Sequence, residues 1–579
     1  MEKQLRDRLV FLYGEDQADL LTSRLWEQIA LFRAQHPDLT AVPSPQRISE
    51  KDAILITYGD MVQQPGQKPL AALAEFLPRW LNGRISAIHL LPFFPYSSDD
   101  GFSVIDYKQV NPAWGDWDDV AAIGRSFRLM FDAVVNHISA ESDWFQAFLR
   151  DERPYTDYFI TADPDTDLSA VFRPRSSPLL TPFETPSGVK YVWTTFSEDQ
   201  VDLNYANPDI LFAVLDVLLF YAAHGAEFIR LDAIAYIWKE IGTDCLHRPQ
   251  THEIIRLMRT VLDIAAPQVS LITETNVPHE DNIAYFGDGR NEAQMVYNFS
   301  LPPLTLHAFH TGNAETLSQW AATLTLPSDQ AAFFNFLASH DGIGVQPAKG
   351  LLSDTAVADM AARVEALGGY VSCKTNGDGS QSAYELNINY LDALGNPDMP
   401  GEPVARVARR FLSAQAIMLT LQGVPGIYFH SLFGSRNWRE GAEQTGHKRT
   451  INRQKLQRSQ LERELADPHS LRHHVFAGYQ KLLAARATDP AFHPNGGQEM
   501  VACDTAVFAL WRISPDGRSR VLCLQNVSDQ PRGLTLPVTG AARLVDLLGA
   551  GAFPVKQNTL RLTIPPYGVF WLKKVQRGL

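Results

Sequence analysis

Short apolar runs alternate with longer amphipathic stretches along most of the chain. The runs are ILITYGD (54–60), ISAIHLLPF (85–93), RLMFDAVVNH (128–137), EFIRLDA (227–233), VSLITETNV (269–277), MVYNFSL (295–301), AAFFNFLASH (331–340) and GVPGIYF (423–429). Each is apolar almost without interruption, as a parallel strand covered by helices on both faces must be. Stretches between them, such as PDILFAVLDVLLFYAAHG (208–225), suit crossover helices. Eight strand–helix units predict an α/β fold, a (β/α)8 TIM barrel. Polar residues gather at the C-terminal ends of the runs: Asp60, His137, Asp232, Glu274, His340 and Asp341. In such barrels the catalytic side chains project from that rim.

Other segments break this rhythm. Residues 1–50 read as an N-terminal helical extension ending in the loop VPSPQR. The barrel is expected over 51–489, with insertions at 138–205 and 342–405 that are too long for plain loops. The second insertion carries a glycine-rich tip, Asn376-Gly377-Asp378-Gly379. Over 490–579 the runs become short and alternating, as in VFALWRI, SRVLCLQNV and GVFWLKKV, which predicts a C-terminal antiparallel β-sandwich.

Composition narrows the function. Of 579 residues 45% are hydrophobic and 20% charged, which excludes a disordered chain. A net charge of −14 argues against nucleic acid, whose phosphates need clustered Lys and Arg. An anionic small molecule needs only a few local cations. Cys245, Cys373, Cys503 and Cys523 lie far apart, so neither a zinc site nor a disulfide framework is expected. The start, MEKQLRDRLVFLYG, has no apolar signal region, and the run Ile210 to Ala223 is too short to span a bilayer. These features predict a soluble cytoplasmic protein, alone or as a homodimer, without membrane partners.

No glycine-rich phosphate loop, HExxH or GxSxG occurs, which leaves carboxylates to carry chemistry. Asp232 lies in Arg230-Leu231-Asp232-Ala233, Glu274 in Ile272-Thr273-Glu274-Thr275, and Asp341 follows His340. Three acids at one barrel mouth suit acetal chemistry. One attacks, one protonates the leaving oxygen, and the third stabilises an oxocarbenium-like charge. Arg230 points the same way as Asp232 on a strand and is expected to keep it ionised. Glu274 must start protonated, and like-charged neighbours would raise its pKa.

The blocks DAVVNH (132–137), RLDAIAY (230–236), ITETN (272–276) and FLASHD (336–341) follow one another in order on barrel strands. Through them the chain resembles the α-amylase superfamily and, within it, the sucrose-phosphorylase branch, from about residue 52 to 455. The resemblance implies that Asp232 is the nucleophile, Glu274 the acid/base and Asp341 the transition-state stabiliser. His137, Arg230 and His340 would be donors to a glucosyl unit, with Tyr236 beside them. Asn136 is shared with calcium-dependent amylases, but no complete ion cage is present, so no metal is expected. In SSDDGFSVIDY (97–107), Asp99 would grip hydroxyls and Phe102 would stack on the sugar. TTFSEDQVDLN (194–204) offers Phe196 and Gln200, and INR (451–453) offers Arg453. In the Phe172-Arg173-Pro174-Arg175 stretch, the resemblance makes Arg175 the group that meets phosphate, for which a guanidinium fork is suited.

The acceptor stretch departs from the pattern. Where sucrose phosphorylases have Leu-Asp-x-Tyr-Gln, this chain has Gln381-Ser382-Ala383-Tyr384-Glu385. Tyr384 is kept; Ser382 and Glu385 are changed. Loss of hydrogen-bond partners for a hydroxyl-rich acceptor costs orders of magnitude in specificity, so fructose is not the expected leaving group. The long N-terminal extension and DLSAVFRPRSSPLLTPF (167–183) are more similar to the glucosylglycerate phosphorylases. Lys374 is a candidate partner for a glycerate carboxylate. Glu385 would then pair with Lys374 or with an arginine. The resemblance implies a retaining phosphorylase that takes 2-O-α-D-glucosyl-D-glycerate and inorganic phosphate to α-D-glucose 1-phosphate, with no other cofactor. Sucrose or glucosylglycerol phosphorylase, or a retaining α-glucosidase, are the alternatives.

Overall fold

The computed structural model describes residues 2–40, 48–175, 177–375, 380–396, 399 and 401–574. The VPSPQR loop and the Asn376–Gly379 tip lie outside the described residues. The eight apolar runs form eight parallel strands that close into a barrel. They are β1 (Ile54–Thr57), β2 (Ala87–Leu90), β3 (Arg128–Ala133), β4 (Ala226–Leu231), β5 (Ser270–Thr273), β6 (Met295–Tyr297), β7 (Ala332–Asn335) and β8 (Val424–Tyr428). Neighbours in sequence are neighbours in the sheet, and β8 closes on β1. β1, β2, β5 and β7 are buried at every position, as mainly apolar strands covered on both faces are, with His89 in β2 buried among them. Gly426 in β8 makes room inside the barrel: a Cβ there would sit 2.3 Å from the Phe334 ring.

Each strand is shorter than its apolar run. The remaining residues leave the sheet at its C-terminal end and turn across the barrel mouth. Register decides what meets there. Leu231 lies opposite Thr273, so the residues that follow, Asp232 and Glu274, emerge side by side. Asp132 lies opposite Arg230 one strand over.

The N-terminal helices Glu2–Tyr13 and Glu15–Gln35 pack on each other. They lie against the barrel helices Pro208–Ala223 and Pro249–Ala265, burying Leu5, Leu9, Leu25 and Ile29. Between β3 and β4, strands His137–Ser139 and Gln200–Asp202 pair antiparallel beside the hairpin Leu180–Thr185/Gly188–Trp193. Between β7 and β8, a three-stranded sheet joins Ile343–Gly344, Gln381–Asn387 and Tyr370–Thr375.

Eight antiparallel strands follow, from Gly497–Met500 to Val569–Lys574. Their alternation separates two faces. Val507, Ala509, Leu522 and Leu524 meet Leu534, Leu536, Leu560 and Ile564 in a core of their own. Phe508, Leu510, Val521, Cys523 and Trp571 belong instead to the core of the barrel. The four cysteines are free. Among the described residues no helix is long and apolar enough to cross a membrane.

Arg486 ties this base together. Its fully buried guanidinium donates to the carbonyls of Asp52 (2.9 Å), Gly423 (3.2 Å) and Phe492 (3.2 Å), and also to that of Glu50. Arg486→Met would leave those carbonyls unsatisfied and is predicted to destabilise the fold by about 2–4 kcal/mol. Urea denaturation would register it as a lower midpoint.

Candidate active site

The loops at the C-terminal ends of the barrel strands enclose a cavity of about 100 Å³. Asp232, Glu274 and Asp341 all line it, together with Asp99, Phe102, His137, Phe196, Gln200, Tyr236, His340, Arg175, Tyr384 and Glu385. Residues predicted from eight separate stretches of chain are thus brought to one site. Arg230, Arg453, Lys374 and Ser382 do not line it. Asp60 at the rim pairs instead with Lys455 at 2.6 Å.

Beneath the acids lies a buried charge network. Arg230 Nη1 contacts Asp232 at 2.8 Å and also pairs with Asp132, while its Nη2 lies 3.9 Å from Glu274. His89, fully buried, donates from Nε2 to the other Asp132 oxygen at 2.7 Å. Ala233 adopts a left-handed backbone conformation (φ 48°, ψ 33°), which is costly for a residue with a Cβ. That turn aims the Ala233 N–H at Glu274 Oε2, 3.0 Å away.

Charge sharing corrects one expectation. Burial pushes Asp232 well above the usual carboxylate range, and Glu274, Asp132 and Asp341 add to it; Arg230 pulls the other way but is outweighed. A guanidinium already held by Asp132 does not keep Asp232 ionised unaided. Burial also raises Glu274, against Arg230 and with Asp341. Two raised carboxyls side by side hold one proton between them more readily than none. Asp341 behaves oppositely: burial would raise it, but Arg449, His340 and Arg453 hold it well below the usual range.

Aromatic and imidazole groups shape the rest. Phe102 stacks on the His340 ring, with centroids 4.6 Å apart and planes within 6°. His340 is lowered to about 3 and His137 is lowered too, both by burial, so both rings are neutral near pH 7. His137 Nε2 lies 2.9 Å from the Phe102 carbonyl and 3.2 Å from Gln200 Nε2. Phe196 packs edge-on against Tyr236 and lies 6.0 Å from the Arg175 guanidinium. Arg453 sits behind the cavity, donating to Asp100 at 2.6 Å and to the His340 carbonyl at 2.8 Å, with Asp99 at 3.6 Å. Asn136 accepts from the buried Lys239 ammonium at 2.7 Å, which also meets Asp202 at 2.6 Å. Among the described residues no group of His, Cys, Asp and Glu is arranged to hold a metal ion.

The acceptor hairpin answers the question of Glu385. Its carboxylate does not pair with Lys374. It accepts from Arg449 Nη2 at 2.9 Å and Nε at 3.1 Å, and from the Gly342 N–H at 3.1 Å. Lys374 donates instead to Gln346 at 2.9 Å and lies 5.7 Å from the Phe172 ring. Ser382 sits opposite Lys374 in the hairpin. Glu385 pairs with Ser372 and Ala383 with Cys373, so Tyr384 is an extra residue bulged out of the ladder. The bulge explains how the consecutive side chains of Tyr384 and Glu385 both reach the cavity. Arg449 also lines the cavity, and sequence reasoning passed it over. Its only signal is its place one turn before Arg453 in Arg449-Thr450-Ile451-Asn452-Arg453.

A closed parallel barrel with three acids on its C-terminal rim is the architecture of α-amylase catalytic domains. Residues 83–347 match the family described as "Alpha amylase, catalytic domain", and residues 499–571 match "Maltogenic Amylase, C-terminal domain". The chain is 48% identical over 580 residues to the glucosylglycerate phosphorylase of Spirochaeta thermophila, covering 98% of each chain. It is 50% identical over 532 residues to that of Allomeiothermus silvanus, covering 92% of this chain and 94% of the relative. In fold it is similar to the sucrose 6F-phosphate phosphorylase of Thermoanaerobacter thermosaccharolyticum, with TM-score 0.72 and 24% identity over 89% of this chain and 98% of that one. The chain belongs to the glycoside phosphorylases of the α-amylase superfamily.

The shared-proton arrangement is testable. Glu274→Gln removes a negative charge facing Asp232, so the Asp232 titration is predicted to move down in pH. Infrared carbonyl bands of 13C-aspartate-labelled protein would follow it, and an unmoved band would contradict the coupling.

Proposed function

We propose that this enzyme is a retaining glucosylglycerate phosphorylase. The observation that carries the reading is the cavity itself. Three carboxylates line it together with Arg175 and Tyr384, so the groups that handle a sugar carbon and those that handle an oxyanion share one enclosed space. Identity of 48–50% to glucosylglycerate phosphorylases over nearly the whole chain supports the substrate.

In the first half-reaction an Asp232 oxygen attacks the anomeric carbon. The bond from that carbon to the glycerate oxygen breaks, and Glu274 donates its proton to the departing oxygen. This needs the shared proton on Glu274 and the charge on Asp232. Arg230 favours that distribution, at 2.8 Å from Asp232 against 3.9 Å from Glu274. Asp341, held ionised, opposes the positive charge that grows on the ring. His340, neutral, is placed to bond a sugar hydroxyl, while His137 spends its one N–H on the Phe102 carbonyl at 2.9 Å and lines the cavity with its ring. Phe102 is backed by His340 and offers the sugar a fixed wall.

In the second half-reaction a hydrogen phosphate oxygen attacks the same carbon, the bond from that carbon to Asp232 breaks, and the phosphate's proton passes to Glu274, restoring it for the next turnover. The two inversions give α-D-glucose 1-phosphate. Phosphate arrives as an anion, so it needs placement more than deprotonation. Arg175 supplies a guanidinium fork, and Tyr384, raised to about 12 by burial, keeps its proton to donate. No cofactor besides phosphate enters this scheme, and its location is the cytoplasm.

Incubation with phosphate and glucosylglycerate is expected to yield glucose 1-phosphate faster than incubation with phosphate and sucrose. Faster turnover of sucrose, or sugar release at the same rate without phosphate, would overturn the reading. Asp232→Asn is predicted to lower glucose 1-phosphate release on the order of 10⁴-fold or more. The pH profile of kcat/KM follows from the raised pair. Activity needs one proton on it and is lost as pH rises through the pair's upper pKa, above the ordinary carboxylate range. A basic limb at ordinary carboxylate pH would contradict the assignment.

A further inference from the structure

Phosphate and glycerate are both anions, yet a buried carboxylate, Glu385, forms part of the cavity wall and is 2% exposed. Unopposed, it would repel both. Arg449 is placed to prevent this. Its Nη2 and Nε grip the two Glu385 oxygens at 2.9 and 3.1 Å, and its Nη1 pairs with Asp341 at 2.6 Å. The contact is close-fitting: a Cβ at Gly342 would lie 2.6 Å from Glu385 Cγ and 2.8 Å from the Leu386 carbonyl. One guanidinium thus joins the acceptor hairpin to the loop that carries Asp341.

We propose that Arg449 is a specificity-determining residue: by neutralising Glu385 it makes an acidic acceptor wall compatible with anionic acceptors, and by pairing with Asp341 it positions that carboxylate. The two duties separate in kinetics. Loss of the Asp341 contact affects the chemical step whatever the acceptor. Loss of the Glu385 contact affects only the binding of anions, because a neutral acceptor does not feel the bared charge. The hairpin keeps an independent tie when Arg449 is replaced, because Glu385 also accepts from the Gly342 N–H at 3.1 Å.

For phosphate the inference needs only a phosphorolytic reaction; for glycerate it rests on the substrate proposed above. The test compares Arg449→Met, Glu385→Gln and the double variant, each confirmed as folded by circular dichroism. The KM for phosphate is measured in phosphorolysis. The KM values for glycerate and for neutral glycerol are measured in synthesis from glucose 1-phosphate. Arg449→Met is expected to raise the phosphate and glycerate KM about tenfold or more, to leave the glycerol KM within about threefold, and to lower kcat with every acceptor. Adding Glu385→Gln is expected to recover most of the phosphate KM while kcat stays low. An equal rise for glycerol and the anions, or a double variant no better than Arg449→Met, would overturn the proposal. If Arg449→Met does not fold, Glu385→Gln alone decides: the phosphate KM should fall, and an unchanged or higher value refutes the neutralising role. Glycerate left unused by the unaltered enzyme would strike the substrate reading and leave the phosphate comparison standing.

Discussion

The site is organised around one buried guanidinium. Arg230 has 2% of its surface exposed and three carboxylates within reach, Asp132, Asp232 and Glu274. A cation so deeply buried persists only when its partners offset the loss of water, and here two of those partners belong to the reacting pair. His89 holds Asp132 from behind, so the network is braced on the far side from the cavity. The barrel supplies the frame: register between β3, β4 and β5 puts Asp132, Arg230, Asp232 and Glu274 within one patch without any long loop. Because Arg230 is shared, neither acid of the pair has a cation of its own, and both carboxyls are raised by burial.

Anion handling lies elsewhere. Arg175 stands on the insertion after β3, and Arg449 follows β8, beyond the hairpin it grips. The floor of the cavity is therefore acidic and fixed by strands, while its cationic side is carried by loops. The net charge of −14 conceals this division. In the proposed scheme, glycosyl chemistry falls to the half fixed by strands and anion placement to the half carried by loops.

Much of this was legible in the sequence. All eight apolar runs became barrel staves, because a strand buried on both faces cannot hide its composition. The acids at their ends were legible for the same reason: a carboxylate interrupting such a run needs a purpose. Arg449 was not legible. Its meaning depends on residues 341, 385 and 449 converging, and no local pattern signals a contact across such distances. The same limit explains the misjudged ionisation of Asp232. Arg230 is visible two residues away, whereas the competing claim of Asp132 arises only when β3 and β4 pair. Lys374 shows the converse: a lone cation near a glycine-rich tip invites a functional role, but its ammonium is engaged by Gln346 away from the cavity.

The two-faced C-terminal sheet bears on how the molecule is made. Strand Val569–Lys574 is not at an edge; it lies between Arg520–Asn526 and Arg543–Asp546, and its Trp571 is packed against Phe492 in the core of the barrel. The barrel strands are synthesised first, yet the sheet that packs on their outer helices Glu315–Ala321 and Val404–Thr420 has Val569–Lys574 at its centre and is complete only once that segment is in place. The apolar face that Phe508, Leu510, Val521 and Cys523 turn toward the barrel thus depends for its middle strand on a segment far from them in sequence.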